Sequence, residues 1–294
     1  MNSLYGKVSY GEDNFNQFGS NKYLQASKDF LESNSIIAKL AFLILVIFVF
    51  IMALRLGIMI LSYLFSFSQD PILIDGMVDG EQLIVKQQNP NLRNAIPILR
   101  STDQREGLEF TWSVWIWVRN PPLNSGAAGS NQYRHIFSKG NDILDTNGIA
   151  TPNNAPGLYI SPDYRELVLV MNTFGNMRER ITIGDIPIEK WINVIIRVNQ
   201  RQLDMFINGT MTRSKTLTAI PRQNYDNIFI GLNGGFSGNL SSLRYFSRAI
   251  GTNQIQNIVE DGPNLTPVGT SLTNALPYYL SFRWFYPQQM GKSN

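Results

Sequence analysis

The alternation of apolar and polar positions divides the chain into stretches of very different character. From Ile36 to Phe67 it reads IIAKLAFLILVIFVFIMALRLGIMILSYLFSF, with only Lys39 and Arg55 charged. As a helix rising ~1.5 Å per residue this run extends roughly 48 Å, more than the ~30 Å hydrocarbon core of a bilayer. One tilted span with an apolar extension accommodates that length, whereas two spans of about 20 residues each do not fit. A mostly polar tail precedes the run and no small-residue cleavage pattern follows it, so the segment reads as a permanent anchor and not as a signal peptide. Leu40, Phe48, Arg55 and Leu61 are its marker positions. A charge at mid-bilayer costs roughly 2.5 to 3.5 kcal/mol, which leaves Arg55 two readings. It either snorkels from one end of the core span, with Leu56 to Phe67 in the interface, or pairs with a carboxylate on a neighbouring protein. Lys22, Lys28 and Lys39 lie before the span, and Asp70, Asp75, Asp79 and Glu81 follow it. By the positive-inside rule this places the N-terminus on the cytoplasmic side.

From about Pro71 the pattern changes to short strand-like runs separated by Gly, Pro, Asn and Asp. Phe110 to Val118 (FTWSVWIWV) is apolar on both faces, as a central strand between two layers is. Leu158 to Ile160, Leu167 to Met171, Trp191 to Val198, Leu203 to Ile207, Ile228 to Ile230 and Leu240 to Phe246 are further strands. Strands at such intervals with turn residues between them predict an all-β sandwich. A short helix is expected over Thr252 to Glu260: Thr252 caps it, Ile255, Ile258 and Val259 share a face, and Gly262 ends it. The resulting division is a polar tail over 1–34, the transmembrane helix over 35–68, the sandwich over 69–262 and a C-terminal extension over 263–294.

Composition narrows the function classes. A net charge of +3 without a basic cluster does not suit electrostatic nucleic-acid binding, and Arg178, Arg180, Arg213 and Lys215 read as a solvated strand face. Cysteine is absent, so the fold has neither disulfides nor thiol chemistry. The single histidine, His135, removes schemes built on paired histidines and zinc sites with two His ligands.

Asn208-Gly209-Thr210 has two readings that do not exclude each other. Asn-Gly between alternating arms, Gln202 to Ile207 and Thr210 to Thr216, is a tight hairpin turn that needs two positive-φ positions. As Asn-x-Thr it is also a glycosylation acceptor, as are the sequons at Asn239 and Asn264.

The order FTWSVWIWV, HIFSKGN, GLYISPDYRELVLVMNT, KWINVIIRVNQRQLDMFINGTMT, NIFIGLNGGFSGNLSSLRYFSRAI and a small terminal helix resembles a laminin-G-like domain of the concanavalin A-like lectin and glucanase superfamily. The resemblance implies a concanavalin A-like antiparallel β-sandwich (jelly roll), preceded here by one transmembrane α-helix. The glucanase branch places two carboxylates two residues apart on one strand. Asp79-Gly-Glu81 is the one non-adjacent pair at that spacing, in a Gly-flanked turn, so no catalytic residue and no cofactor is assigned. Some members bind Ca²⁺ through acidic loops. Asp142, Asp145 and Asn147 are the weak metal candidates, in a stretch better read as an Asx-rich turn. Gly231 to Gly235 lacks the Lys-Ser/Thr of a phosphate loop. Trp112, Trp115, Trp117 and Trp191 fall within strands and are expected to pack.

The whole order of a polar tail, an apolar helix with RLG, a laminin-G-like domain and the late run Pro277 to Trp284 is similar to membrane-anchored minor capsid proteins of large icosahedral DNA viruses of the chlorella-virus type. That resemblance implies a structural virion protein between internal membrane and capsid. Its partners would be the bilayer and major and other minor capsid proteins, with Phe282, Trp284, Phe285 and Tyr286 as candidate contacts. The alternative is a membrane-anchored glycan-binding protein at the cell surface or in a lumen, with its sugar site in loops such as Asn120 to Asn131 and Asn233 to Gly238.

Overall fold

The computed structural model describes residues 28–29, 35–65, 68–92, 95–101, 107–120 and 131–268. Most of the N-terminal tail, Phe282, Trp284, Phe285 and Tyr286, and most of the 120–131 loop lie outside them. The chain divides into two units, Met1–Ser66 and Phe67–Asn294.

In the first unit, α1 spans Ile36–Phe65. Its stretch Ile36–Leu64 contains an 18-residue window with a mean hydropathy of 3.0, and Ala38 is its one buried residue among the described ones. Leu40, Phe48 and Leu61 are all more than half exposed. A helix that is apolar all round and exposes nearly all its described side chains has the character of a lipid-facing span.

The second unit is built of two six-stranded antiparallel sheets. Its strands are β1 Met77–Asp79, β2 Ile84–Lys86, β3 Glu109–Val118, β4 Arg134–Gly140, β5 Asn154–Ile160, β6 Leu167–Met171, β7 Glu179–Ile183, β8 Trp191–Asn199, β9 Gln202–Ile207, β10 Thr210–Thr216, β11 Ile228–Ile230 and β12 Gly238–Phe246. The sheet orders are β1-β12-β3-β8-β9-β10 and β2-β11-β4-β5-β6-β7. This is the concanavalin A-like sandwich. Its main core lies between the sheets, where Trp112, Val114, Ile116 and Val118 of β3 meet Phe137, Leu158, Leu169 and Ile230.

The double-sided apolar character of β3 follows from a second layer. Period-2 geometry turns Thr111, Ser113 and Trp115 to the opposite face, where all three are buried. On the outer face of the same sheet, Ile255 and Ile258 of α2, Thr252–Asp261, pack with Ile195, Phe206, Phe246 and Ile250. The start of α2 corrects one expectation. Gly251 occupies the N-cap, with no side-chain cap, and Thr252 is already helical. The preceding turn dictates this register: Ile250 N–H donates to Thr111 Oγ1, Arg248 pairs with Asp70 at 2.7 Å, and Ile255 N–H closes on Gly251 O. Gly262, at φ 71, follows the last helical residue.

The β9–β10 connection is a two-residue turn, with Ile207 opposite Thr210 and with φ of 48° at Asn208 and 77° at Gly209. Beyond α2 the chain returns to the edge of the first sheet. Met77 N–H donates to Thr266 O, and Val268 N–H donates to Met77 O.

Candidate functional site

A cleft of about 590 Å³ lies at one end of the sandwich, between the two sheets. Two amide-rich loops form its rim. Residues 86–91 (KQQNPN) leave β2, and residues 222–227 (RQNYDN) lead into β11. The Gln88 side chain folds its own loop, with Oε1 accepting from Ile98 N–H and Nε2 donating to Ile96 O. Asn227 Oδ1 ties the two loops together by accepting from Gln88 N–H at 3.1 Å. The wall thus rests on side-chain hydrogen bonds that stand in for a strand ladder.

The floor belongs to the core. Phe110, Trp112 and Tyr245 line it while only 1 to 2% exposed. Trp112 stacks on Phe137 at 5.4 Å and meets Tyr245 edge-on at 5.0 Å. The fully enclosed side-chain atoms without a partner are Arg134 Nε, Asn154 Oδ1, Asn193 Oδ1 and Arg244 Nε. The Trp112 indole N–H and the Tyr245 hydroxyl are not among these, yet neither makes a hydrogen bond among the described residues. Burial, reinforced by the negative charge of Asp70, pushes the Tyr245 phenol above its ordinary range, so it stays a donor.

Lys139 and Arg100 supply the positive charges of the cleft, and Asp142 and Asp226 the negative ones. Lys139 Nζ donates to Asp226 O at 2.5 Å. Burial lowers its pKa to about 8, against the opposing pull of the Asp226 charge. The guanidinium of Arg100 lies 5.5 Å over the Tyr225 ring and donates to the Tyr225 hydroxyl at 3.0 Å. Tyr225 itself is 75% exposed.

Of the residues singled out from sequence, Trp112 and Asp142 line the cleft, and the others lie elsewhere or are otherwise engaged. Asp145 Oδ1 accepts from Asn147 N–H and Ile149 N–H, and its Oδ2 pairs with Arg178 at 2.8 Å. Asp142 and Asn147 are exposed, and no group of three His, Cys, Asp or Glu suited to a metal occurs among the described residues. Asp79 Oδ1 accepts from Glu81 N–H in a turn after β1. Among the sequons, exposed Asn208 accepts from Asn193 N–H, half-buried Asn239 lies in β12, and exposed Asn264 donates to Asp75. His135 is buried: Nε2 lies 2.8 Å from Ser138 Oγ and Nδ1 accepts from Leu232 N–H. The cleft residues Arg100, Lys139, Tyr225 and Tyr245 were not singled out from sequence. The one signal for them was the pair of Asn/Gln-rich loops, which reads as ordinary turn composition until the fold sets the loops side by side.

The fold and its binding-type cleft define a sandwich of the lectin and laminin-G kind. A family model, the laminin-G-like model of the concanavalin A-like lectin/glucanases superfamily, matches residues 96–256, more than half of the chain, and the chain belongs to that family. No curated protein matches the sequence. Among solved structures, the receptor binding domain of botulinum neurotoxin C/D mosaic serotype is similar at 15% identity and a TM-score of 0.41, over 53% of this chain and 36% of that one. The binding domain of serotype G is similar at 13% identity and 0.42, over 63% and 46%. The binding domain of botulinum neurotoxin DC, solved in complex with rat synaptotagmin II, is similar at 16% and 0.37, over 52% and 36%. The likeness is one of fold, and the chain spans between a third and a half of the length of these structures.

Proposed function

We propose that this protein is a single-span membrane anchor whose laminin-G-like sandwich is a non-catalytic binding module. It tethers a bilayer to a protein shell as a minor capsid protein of a large icosahedral DNA virus. The observation that carries the anchor is α1, which contains an 18-residue window of mean hydropathy 3.0 and exposes its large apolar side chains. Burying each such side chain in lipid gains about 1.5 to 3 kcal/mol, which far exceeds the cost of placing Arg55. The non-catalytic reading rests on the one acidic pair at glucanase spacing, Asp79 and Glu81, lying in a turn in which Asp79 Oδ1 accepts from Glu81 N–H. The viral setting draws its support from the order of tail, helix, sandwich and aromatic C-terminal run along the chain. Partners would be the lipid bilayer and capsid proteins, the latter reached in part through Phe282, Trp284, Phe285 and Tyr286.

The test is quantitative mass spectrometry of purified particles, with cross-links from Lys22, Lys28, Lys215 and Lys292. Stoichiometric presence and repeated links to an abundant shell protein are expected. A trace amount in clean particles would sink the proposal. A membrane-anchored glycan-binding protein is the second reading. It is favoured by the amide-lined rim of the cleft beside the exposed Tyr225 ring.

A further inference from the structure

We infer that the cleft between the 86–91 and 222–227 loops is a peptide-docking site, which takes one large apolar side chain of an extended, uncharged segment of a partner protein. The inference rests on the tether reading and gives it a contact point. The deep wall is apolar: Phe110, Trp112 and Tyr245 are at most 2% exposed, and Ala155 and Phe229 complete it. A saccharide is hydroxylated around its whole edge and stacks on an exposed aromatic face, whereas a buried floor suits an aliphatic or aromatic side chain. Trp112 and Tyr245 line that wall, and the indole N–H and the hydroxyl make no hydrogen bond among the described residues. A guest that carries an acceptor next to its apolar group, as a peptide backbone does, satisfies them.

The rim matches the same guest. Asn89, Asn141, Gln223 and Asn227 use their side-chain oxygens within the rim and keep amide N–H groups without a partner among the described residues, donors of the kind a backbone carbonyl needs, whereas Gln88 and Asn224 are engaged at both ends. Arg100 and Lys139 balance Asp142 and Asp226, so the cleft offers no net charge to draw an acidic or a basic segment.

The experiment uses the full chain in lipid nanodiscs, which avoids sugar-based detergents, panned against a displayed random peptide library and in parallel against a glycan array. Selected peptides should share one large apolar residue at a fixed position within uncharged flanks. Y245F removes a floor donor with little change of shape, and W112F removes the other together with part of a core ring; each, confirmed to unfold cooperatively, should weaken those peptides roughly two- to tenfold. Q223A at the rim should weaken them also, and M211A on exposed β10 should not. No enrichment, or peptides indifferent to Y245F, W112F and Q223A, would overturn the inference. Glycan binding that the same variants abolish would overturn it too, and would favour the second reading. Stoichiometric presence in particles alongside a failed selection would leave the tether standing and remove only the cleft from it.

Discussion

At the scale of single residues the sandwich holds His135, Asp204 and Glu179 in buried, hydrogen-bonded positions, and their titration sets its pH limits. Burial lowers the His135 pKa from 6.5 to about 3, so the folded state holds the neutral ring that Leu232 N–H and Ser138 require. Because the folded value lies below the unfolded one, the stability from His135 is complete above pH 6.5 and is lost as pH falls from there towards 3. One such group contributes a slope of at most about 1.4 kcal/mol per pH unit. In urea titrations of the nanodisc-held chain between pH 7 and pH 4, the wild type should lose stability steadily. H135Q should start lower and show a flatter slope; an unchanged slope would exclude His135 as its source. At lower pH two carboxylates join in. Burial opposes ionisation of Asp204, but hydrogen bonds from Ser214, Arg197 and Gln202 and the Arg197 charge outweigh it and hold the pKa below its ordinary 3.8. Glu179, buried yet bonded to Thr218 and Lys215, is likewise held below 4.5. Both contributions are present above those ordinary values and disappear as the pH falls below them.

At the scale of elements, α2 is the clearest case of a small piece held by packing. Its ten residues are too few for a stable isolated helix. Ile255, fully buried against Ile195, Phe206, Phe246 and Ile250, is what fixes it to the outer sheet face. I255A should therefore cost about 2 to 5 kcal/mol in chemical unfolding, and a loss under 1 kcal/mol would mean that α2 is dispensable to the sandwich. The β9–β10 turn makes a separate prediction. Gly209 sits at φ 77°, where a side chain is disfavoured, so G209V should cost about 1 to 2 kcal/mol in the same assay. How far such elements are legible in sequence depends on whether their pattern is local. The apolar runs of β3, β6 and β8 and the face of α2 announce themselves, because burial there follows a fixed period. β7 does not: its Glu179-Arg180 start reads as solvated surface, and only the fold shows that Glu179 turns inward to Thr218 and Lys215. β2 is equally quiet, since a three-residue strand carries no measurable period. The N-cap of α2 was misplaced by one residue because Thr111 and Asp70, which set the preceding turn, lie far away in sequence. The cleft was unreadable for a related reason, since its floor is core by composition and its two rim loops meet only across the sandwich.

At the scale of the whole molecule, the chain sets two units of opposite surface chemistry in one polypeptide. Ile36–Leu64 exposes apolar side chains along its length, while the sandwich buries its apolar surface in a core between two sheets and in a second layer under α2. The driving forces are accordingly separable, because one unit is stabilised by transfer into lipid and the other by its own packing. A chain lacking residues 1–66 is expected to retain the far-ultraviolet signature of antiparallel sheet and a cooperative unfolding transition, and to appear in the supernatant after alkaline carbonate treatment of membranes. The full chain should stay in the pellet, as should a full-chain R55L variant, because leucine only deepens the apolar character of α1. If R55L inserts normally but loses its cross-links to a neighbouring protein, Arg55 pairs with a carboxylate within the membrane; if those links persist, Arg55 snorkels to the headgroups. Release of the full chain by carbonate would instead mean that α1 is covered by a protein partner and does not cross lipid, and the anchor at the centre of the tether proposal would fall with it.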